Sequence, residues 1–222
     1  MEALSQSLQP YKELVGNVAA GVTVLQMFSG AFVCNDIRRK GTSDGFSPMP
    51  FIGGIALTLL FFQHALLMND PAMIRANVIG LGISVVYAVF FYLYTPRQSK
   101  GAFWKQTGIS GAVVAVLLGY AQIENPDVVE DRFGFIVTIL MLLLIGQPLF
   151  GLPEIIRKKS TEGLPFPMIL SGTVVGSLWL LYGIILNNVF MILQNLVAVS
   201  LSGVQLALFV IYPSKDSQKK KQ

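Results

Sequence analysis

Two asparagines lie well inside long apolar stretches, where polar side chains are costly and usually have a specific role. Asn77 and Asn195 fall where an unpaired amide is costly, so each must face protein or a water-filled cavity. A side-chain amide offers hydrogen-bond donors and acceptors without a charge, which suits the hydroxyl groups of an uncharged ligand such as a sugar. The alternative role is an interhelical hydrogen bond, which contributes about 0.6 kcal/mol on average in membranes.

Two aromatic residues, Phe61 and Trp179, occupy similar positions on the apolar stretches that precede the two asparagines. Phe61 and Trp179 could cover the C–H surface of a pyranose while the amides hold its hydroxyls, because ligand sites combine apolar walls with few polar groups. Core packing or anchoring at the membrane interface is the alternative for both rings. A bulky Phe61 narrows the cavity and favours a monosaccharide over a disaccharide.

The acidic residues lie outside the interiors of the long apolar segments. Every Asp and Glu falls in a loop or close to the end of an apolar segment, which leaves no buried carboxylate for a proton relay or a sodium site. The chain has one cysteine, Cys34, and one histidine, His64, and it carries no nucleotide-binding, zinc-protease or nucleophile-elbow motif. We therefore expect no metal, no cofactor and no enzymatic activity.

The composition predicts that lipid, not water, surrounds most of the chain. Of the 222 residues 53% are hydrophobic and 13% are charged, whereas soluble domains carry about 25% charged residues. Helices of about 20 apolar residues cross a bilayer. Turn and charge clusters divide the chain into seven such segments, which predicts an all-α, polytopic membrane protein: about 14–35, 48–68, 72–94, 102–122, 133–156, 167–186 and 189–212.

The basic residues predict the orientation in the membrane. Of the 16 Lys and Arg, 13 fall on one side of the predicted spans and 3 on the other. Since Lys and Arg favour the cytoplasmic side, the N-terminus is expected outside or in the lumen and the C-terminus in the cytosol. The basic residues are spread over several loops and form no single stripe, so they do not indicate nucleic-acid binding.

The chain repeats itself at a constant offset of 118 residues. Residues 16–94 align with residues 134–212 without a gap, and the identical pairs include glycines, loop residues and the asparagines Asn77 and Asn195. The fourth segment has no counterpart and joins the two units as a 3+1+3 plan. The predicted boundaries are 10–95 for the first repeat, 96–125 for the linker helix, 126–213 for the second repeat and 214–222 for a basic cytosolic tail.

An inserted single helix gives the two three-helix units the same orientation, so they are expected to be parallel repeats about an axis along the membrane normal. Such an arrangement places a binding site between the units near the midplane of the bilayer. Rocking of the units can then expose the site to each side in turn.

The second repeat holds a characteristic series of residues: Gln147-Pro148-Leu149, Lys159 to Phe166, Trp179, Tyr182, Gly183 and Asn195. On these residues the chain resembles, from about residue 10 to 213, the SWEET (MtN3/saliva) family of sugar transporters, of the animal type; parallel repeats are a known feature of that family itself. The first repeat is more diverged: Phe46, Ser47 and Pro50 match, but Phe61, His64 and Ala65 stand where the family usually has W..YG.

The resemblance implies a facilitative, bidirectional sugar uniporter that works by alternating access, with a monosaccharide such as glucose as substrate. It makes Asn77 and Asn195 substrate-binding residues. It also implies hinges at the cytosolic helix ends and an outer gate near the position of His64. The hinge candidates are Pro50, Pro148 and Pro165, with Gly30 in place of a fourth proline.

For these residues ordinary structural roles stay open. A proline at a helix start can simply end a loop. His64 could titrate near neutral pH, but an interfacial residue without a mechanistic role is the preferred interpretation.

Other functions remain as alternatives. A PQ-loop amino-acid transporter would share the repeat plan but would carry acidic residues inside its helices. A seven-helix receptor would share the topology but would not need two equivalent halves. A sorting protein on the same plan is a third alternative. The plasma membrane is the expected location, with the Golgi membrane as the alternative, and the resemblance implies self-association as a homo-oligomer.

Overall fold

A computed structural model of the chain describes residues 2–146, 152–161, 164 and 166–212, and all regular structure in these ranges is helical. A single 3₁₀ turn, Gln9–Tyr11, joins the first two α-helices. In chain order the α-helices are α1 (Glu2–Leu8), α2 (Lys12–Met27), α3 (Gly30–Lys40), α4 (Met49–Leu67), α5 (Pro71–Leu93), α6 (Lys100–Ile123), α7 (Pro126–Ile145), α8 (Leu152–Lys158), α9 (Phe166–Leu186) and α10 (Val189–Ile211).

Most of these helices are long and apolar enough to cross a bilayer. Among the described residues, α4, α5, α6, α9 and α10 qualify, as does the helical stretch Glu2–Lys40 that contains α1, α2 and α3. The remaining long helix, α7, has 20 residues, which also suffices for a span of about 30 Å. The five predicted segments that correspond to α4, α5, α6, α9 and α10 are confirmed to within two residues.

The first predicted segment, 14–35, is wrong at both ends. The chain is already helical from Glu2, and α3 continues to Lys40. The charges of Arg38, Arg39 and Lys40 suggested a loop, but they form the last turn of α3, where positive charge is favourable next to the helix dipole. The helix ends at Gly41, whose φ of 74° lies in the left-handed region and whose N–H donates to the Ile37 carbonyl at 2.9 Å.

The predicted loop Glu124–Arg132 is also wrong in part, because α7 begins at Pro126 and not near residue 133. Proline is favoured in the first turn of a helix, where no N–H is needed. The Asn125 side chain accepts a hydrogen bond from the Asp127 N–H at 2.9 Å and so caps the new helix. The fifth predicted segment, 133–156, corresponds to the rest of α7 and most of α8; residues 147–151 between them lie outside the described part of the chain.

The chain divides into two compact units. One consists of Ala20–Val137, and the other combines Met1–Ala19 with Thr138–Gln222. In the first unit α4 packs against α5 and α6, and α3 packs against α5. Its apolar core lies at the end of the bundle that carries Arg38 to Lys40, and it is built from Cys34, Ile37, Phe51, Ile52, Ala88, Phe91 and Phe103.

In the second unit, α9 packs against α10 and α1 packs against α9. The last four carbonyls of a helix have no partner within it. One of these, the Ile185 carbonyl of α9, accepts hydrogen bonds from the Ser5 hydroxyl at 2.8 Å and from the Gln9 amide at 2.7 Å. The N-terminal segment, which the sequence analysis did not predict to be helical, thus satisfies a carbonyl that α9 itself leaves unpaired.

The repeat predicted from the sequence is visible in the short turns before α5 and α10. Asn69 and Asn187 both adopt positive φ, 48° and 53°, which asparagine tolerates better than most residues. The next residue caps the following helix in both repeats: Asp70 accepts from the Met73 N–H and Asn188 from the Met191 N–H, each at 2.9 Å. The prediction that Asn69 and Asn187 are turn formers is confirmed.

A carboxylate beside the start of α7 carries a shifted pKa. Glu124, which follows α6, accepts from the Asn125 N–H at 2.9 Å, the Tyr120 hydroxyl at 2.8 Å and the Arg132 guanidinium at 2.7 Å. These donors, the backbone N–H most of all, lower the pKa of Glu124 from an ordinary 4.5 to about 2.

Through this group the stability of the folded chain should change with pH only in acid. Because the folded pKa is lower than the unfolded one, ionised Glu124 stabilises the folded state above about pH 4.5, and this stabilisation is lost as the pH falls towards 2. We expect the difference in thermal unfolding midpoint between wild type and Glu124→Gln to be constant from neutral pH to about pH 5 and to shrink below it. A difference that already changes between pH 7 and 6 would contradict this assignment.

Candidate substrate-binding site

The two asparagines have the same local geometry in the two repeats. The Asn77 amide nitrogen donates to the Met73 carbonyl at 2.8 Å, and the Asn195 amide nitrogen donates to the Met191 carbonyl at 2.8 Å. Both side chains are half-buried. Among the residues that the structure describes, neither amide makes an interhelical hydrogen bond. Bonding to the preceding turn fixes each amide, and its Oδ1 has no hydrogen-bond partner among the described residues.

The two aromatic residues are also in equivalent places. Phe61 lies in α4 and Trp179 in α9, and both side chains are half-buried. The Trp179 ring meets the Tyr182 ring edge to face, with 5.7 Å between centroids. Each compact unit thus carries one amide and one aromatic of the predicted set: Asn77 and Phe61 in the first, Asn195 and Trp179 in the second.

His64 lies inside the protein, contrary to the expected interfacial position. It is 1% exposed, and its ring centroid is 6.5 Å from that of Phe133. Its Nε2 has no hydrogen-bond partner within the described residues. Tyr182, its counterpart in the second repeat, is 2% exposed. This position is therefore part of the core in both repeats, and a gate role for His64 stays a prediction.

The helix that precedes Gly30 is interrupted just before that residue. Around Phe28 and Ser29 the N–H groups bond to carbonyls three residues back instead of four, which tightens the chain between α2 and α3. The Tyr87 hydroxyl donates at 3.2 Å to the Met27 carbonyl, one of those left over at the end of α2. A Cβ at Gly30 would lie 2.6 Å from Cε2 of Tyr87, so glycine is needed for this approach.

Replacing Gly30 with alanine should displace the Tyr87 ring and weaken its hydrogen bond to Met27. We expect a loss of roughly 1–2 kcal/mol in folding free energy, seen as a lower thermal unfolding midpoint. Gly21→Ala in α2 is the matched control, since its Cβ would meet nothing within 4 Å. The Tyr87→Leu background should reduce the Gly30→Ala effect; an equal effect in both backgrounds would contradict the role of this contact.

Of the three prolines proposed as hinges, Pro50 is the one that lies in the described part of the chain. Pro50 is the second residue of α4, where a missing N–H costs no intrahelical hydrogen bond. That position is explained by helix initiation, and a hinge role stays a prediction. Pro148 and Pro165 lie outside the described residues, as does the basic tail 214–222.

One buried polar pair was missed by the sequence analysis. The Gln194 amide donates to the Thr138 hydroxyl at 2.6 Å, and these side chains are 5% and 1% exposed. The pair links α10 to α7, and Gln194 directly precedes Asn195 in the sequence. The equivalent positions of the first repeat hold Ala76 and Ala20, so only the second unit has this polar link. The sequence signal that could have found it was the replacement of two alanines by hydrogen-bonding residues in the second repeat.

Comparison with known families agrees with this repeat. The profile of the MtN3/saliva family, described as "Sugar efflux transporter for intercellular exchange", matches twice, at residues 13–99 and 131–217. The two matches leave out the whole of α6, the helix without a counterpart in the internal repeat.

The chain is also similar to individual proteins of known name. It is 31% identical over 211 residues to the sugar transporter SWEET1 of Drosophila pseudoobscura pseudoobscura, covering 92% of this chain and 91% of the relative. It is 30% identical over 201 residues to the sugar transporter SWEET1 of Caenorhabditis elegans, covering 90% of this chain and 66% of the relative.

A solved structure shows the same fold. The 3.7 Å structure of a eukaryotic SWEET transporter superimposes with a TM-score of 0.83 at 19% identity, over 92% of this chain and 97% of the other. The chain therefore has the seven-helix, two-repeat membrane fold, and it belongs to the SWEET (MtN3/saliva) family of sugar transporters, of the animal type.

Proposed function

We propose that this chain is a facilitative, bidirectional sugar uniporter that carries a monosaccharide such as glucose by alternating access. The observation that carries the proposal is the matched pair of amides, Asn77 and Asn195. Each is fixed by its own helix in the same way and keeps an acceptor oxygen unused by the described residues. Two such groups can bind sugar hydroxyls without the cost of burying a charge.

Phe61 and Trp179 complete the proposed site by covering the apolar faces of the sugar ring. Their half-burial agrees with this role, because a side chain that lines a cavity is neither fully packed nor fully exposed. Trp179 is held against Tyr182, which limits its freedom to turn away. A side chain as bulky as Phe61 would narrow the proposed site, which favours a monosaccharide over a disaccharide as substrate.

The proposed transport needs no ion gradient. Among the side chains that the structure describes, Asp70 is the one buried carboxylate, and it serves as the cap of α5. The part of the chain that the structure describes also contains no cluster of three or more metal-ligating side chains. Substrate flow in either direction would then follow the sugar gradient alone, with bending at Gly30, Pro50, Pro148 and Pro165 proposed to accompany the change of access.

For the cellular setting we propose the plasma membrane, with the N-terminus outside and the C-terminus in the cytosol. The bias of basic residues to one side supports this orientation. The Golgi membrane is the alternative location. A homo-oligomer is proposed from the resemblance, with each chain holding its own site.

The experiment is uptake of radiolabelled substrates by purified protein in liposomes without any ion gradient. We expect saturable entry of glucose that is unchanged when pH and sodium gradients are imposed or collapsed, and competition by unlabelled glucose but not by sucrose. Empty liposomes and the Asn77→Ala/Asn195→Ala double variant are the controls. Uptake of amino acids but no sugar would overturn the proposal in favour of an amino-acid transporter; no uptake of either by folded protein would favour a sorting protein or receptor.

A further inference from the structure

A groove of about 410 Å³ runs along the first compact unit between α4, α5 and α6. Its lining is almost wholly aliphatic and aromatic, and the Thr107 hydroxyl in it already donates to the Phe103 carbonyl of its own helix at 2.9 Å. It is open above Gly111, where an added Cβ would meet nothing within 4 Å. A sugar would find few hydrogen-bond partners here, so an apolar occupant fits better.

The groove is long enough to hold a lipid chain of one leaflet. The lining residues of α6 extend from Phe103 to Leu118, which corresponds to roughly 22 Å along the helix. One leaflet occupies about half of the 30 Å hydrocarbon core. An acyl chain that starts at the membrane interface would therefore be covered along its whole length.

One end of the groove carries aromatic and basic groups together. Tyr92 and Trp104 line this end, and the Trp104 indole N–H donates to the Tyr92 hydroxyl at 3.4 Å. The Lys100 ammonium lies 4.5 Å from the centroid of the Tyr92 ring. Trp and Tyr are enriched at the level of the lipid headgroups. Lys100 is thus in position to meet a headgroup whose chain lies in the groove.

The charged residues at the start of α6 and just before it are all basic. Arg97, Lys100 and Lys105 occur within nine residues, and α6 contains no Asp or Glu from Lys100 to Ile123. Basic pockets between transmembrane helices bind anionic headgroups on the cytoplasmic side. A neutral headgroup would leave this positive charge unpaired.

From these observations we propose that the groove is a binding site for an anionic phospholipid. One acyl chain lies between α4, α5 and α6, and the phosphate lies beside Lys100. The site is separate from the proposed sugar site, so its occupancy can be tested without relying on transport.

The test uses the full chain in phosphatidylcholine nanodiscs that contain a trace of phosphatidylserine with a photoreactive diazirine on its acyl chain. A matched phosphatidylcholine probe measures the headgroup preference. After irradiation, labelling is quantified by intact mass and located by proteolysis. We expect labelling of groove residues, with the serine lipid favoured about fivefold, the ratio expected from one lysine near an anionic headgroup.

Two variants and one control make the result specific. Gly111→Trp fills the groove and should abolish its labelling, whereas Val116→Trp, on an exposed position of α6 outside the groove, should leave it unchanged. Lys100→Gln should remove the preference for the serine lipid. Equal labelling of Gly111→Trp and wild type, or no headgroup preference in wild type, would overturn the proposal.

A second copy of the chain is the competing occupant of the groove. Ser110→Cys places a thiol on the lining of α6, and rapid disulfide-linked dimers of this variant would show that the groove is a protein interface. That outcome would also overturn the lipid site. Thermal unfolding of each variant verifies that it is folded.

Discussion

We expect Asn195→Ala to lower the catalytic efficiency of glucose transport, kcat/KM, about tenfold, and Asn77→Ala to have an effect of similar size. A hydrogen bond to a neutral group contributes about 0.5–1.5 kcal/mol, and 1.4 kcal/mol corresponds to a factor of ten. The similar effects follow from the shared geometry, since each amide is fixed by a 2.8 Å bond to its own helix. The measurement is the initial rate of uptake at several glucose concentrations.

The control for this prediction lies one residue further along each helix. Val78 and Leu196 are equivalent in the two repeats and are 52% and 50% exposed. Val78→Ala and Leu196→Ala should therefore transport at the wild-type rate. If both asparagine variants transported glucose as efficiently as these controls, the amides would not bind the substrate.

Gly183→Ala should be strongly destabilising, because α9 and α10 approach each other at this glycine. An added Cβ would lie 3.0 Å from the Met191 Cβ and 3.2 Å from the Ile192 backbone nitrogen. A backbone atom cannot move aside as a flexible side chain can, so the two helices would have to separate. We expect a loss of about 1–3 kcal/mol in folding free energy. The thermal unfolding midpoint in detergent measures it.

Gly203→Ala is the matched control, because it lies in α10 and its Cβ would meet nothing within 4 Å. There the better helix propensity of alanine should leave stability unchanged or raise it by about 0.5–1 kcal/mol. In the first repeat this position is occupied by Ala65, which is fully buried. Since a Cβ is accommodated there, the approach of the two helices that requires glycine is specific to the second repeat. Equal midpoints for the two glycine variants would disprove the close approach.

The helices could be predicted from the sequence because their apolar stretches are bounded by strong turn signals. The Asn69-Asp70 and Asn187-Asn188 turns marked the starts of α5 and α10, and the same residues serve as turn formers and caps. Charge misled the prediction at Arg38 to Lys40, since charged residues can form a helical turn once the helix has left the bilayer.

The residue types of the candidate site could be predicted, but their partners could not. The internal repeat indicated Asn77 and Asn195; their bonds to Met73 and Met191 required coordinates. The burial of His64 was missed because a polar residue near a helix end ordinarily lies at the interface. The use of Ser5 and Gln9 to satisfy a carbonyl of α9 depends on contacts about 180 residues apart, beyond the reach of local patterns.

The most direct test of the proposed uniporter mechanism is glucose counterflow in liposomes that contain the purified protein. Vesicles are loaded with unlabelled glucose and diluted into a trace of radiolabelled glucose, with no pH, sodium or potential difference across the membrane. A uniporter that alternates access around one site predicts a transient accumulation of label above its equilibrium level, lost in the Asn77→Ala/Asn195→Ala double variant. Label that rises to equilibrium without an overshoot in wild type, or an overshoot that requires an ion gradient, would contradict it.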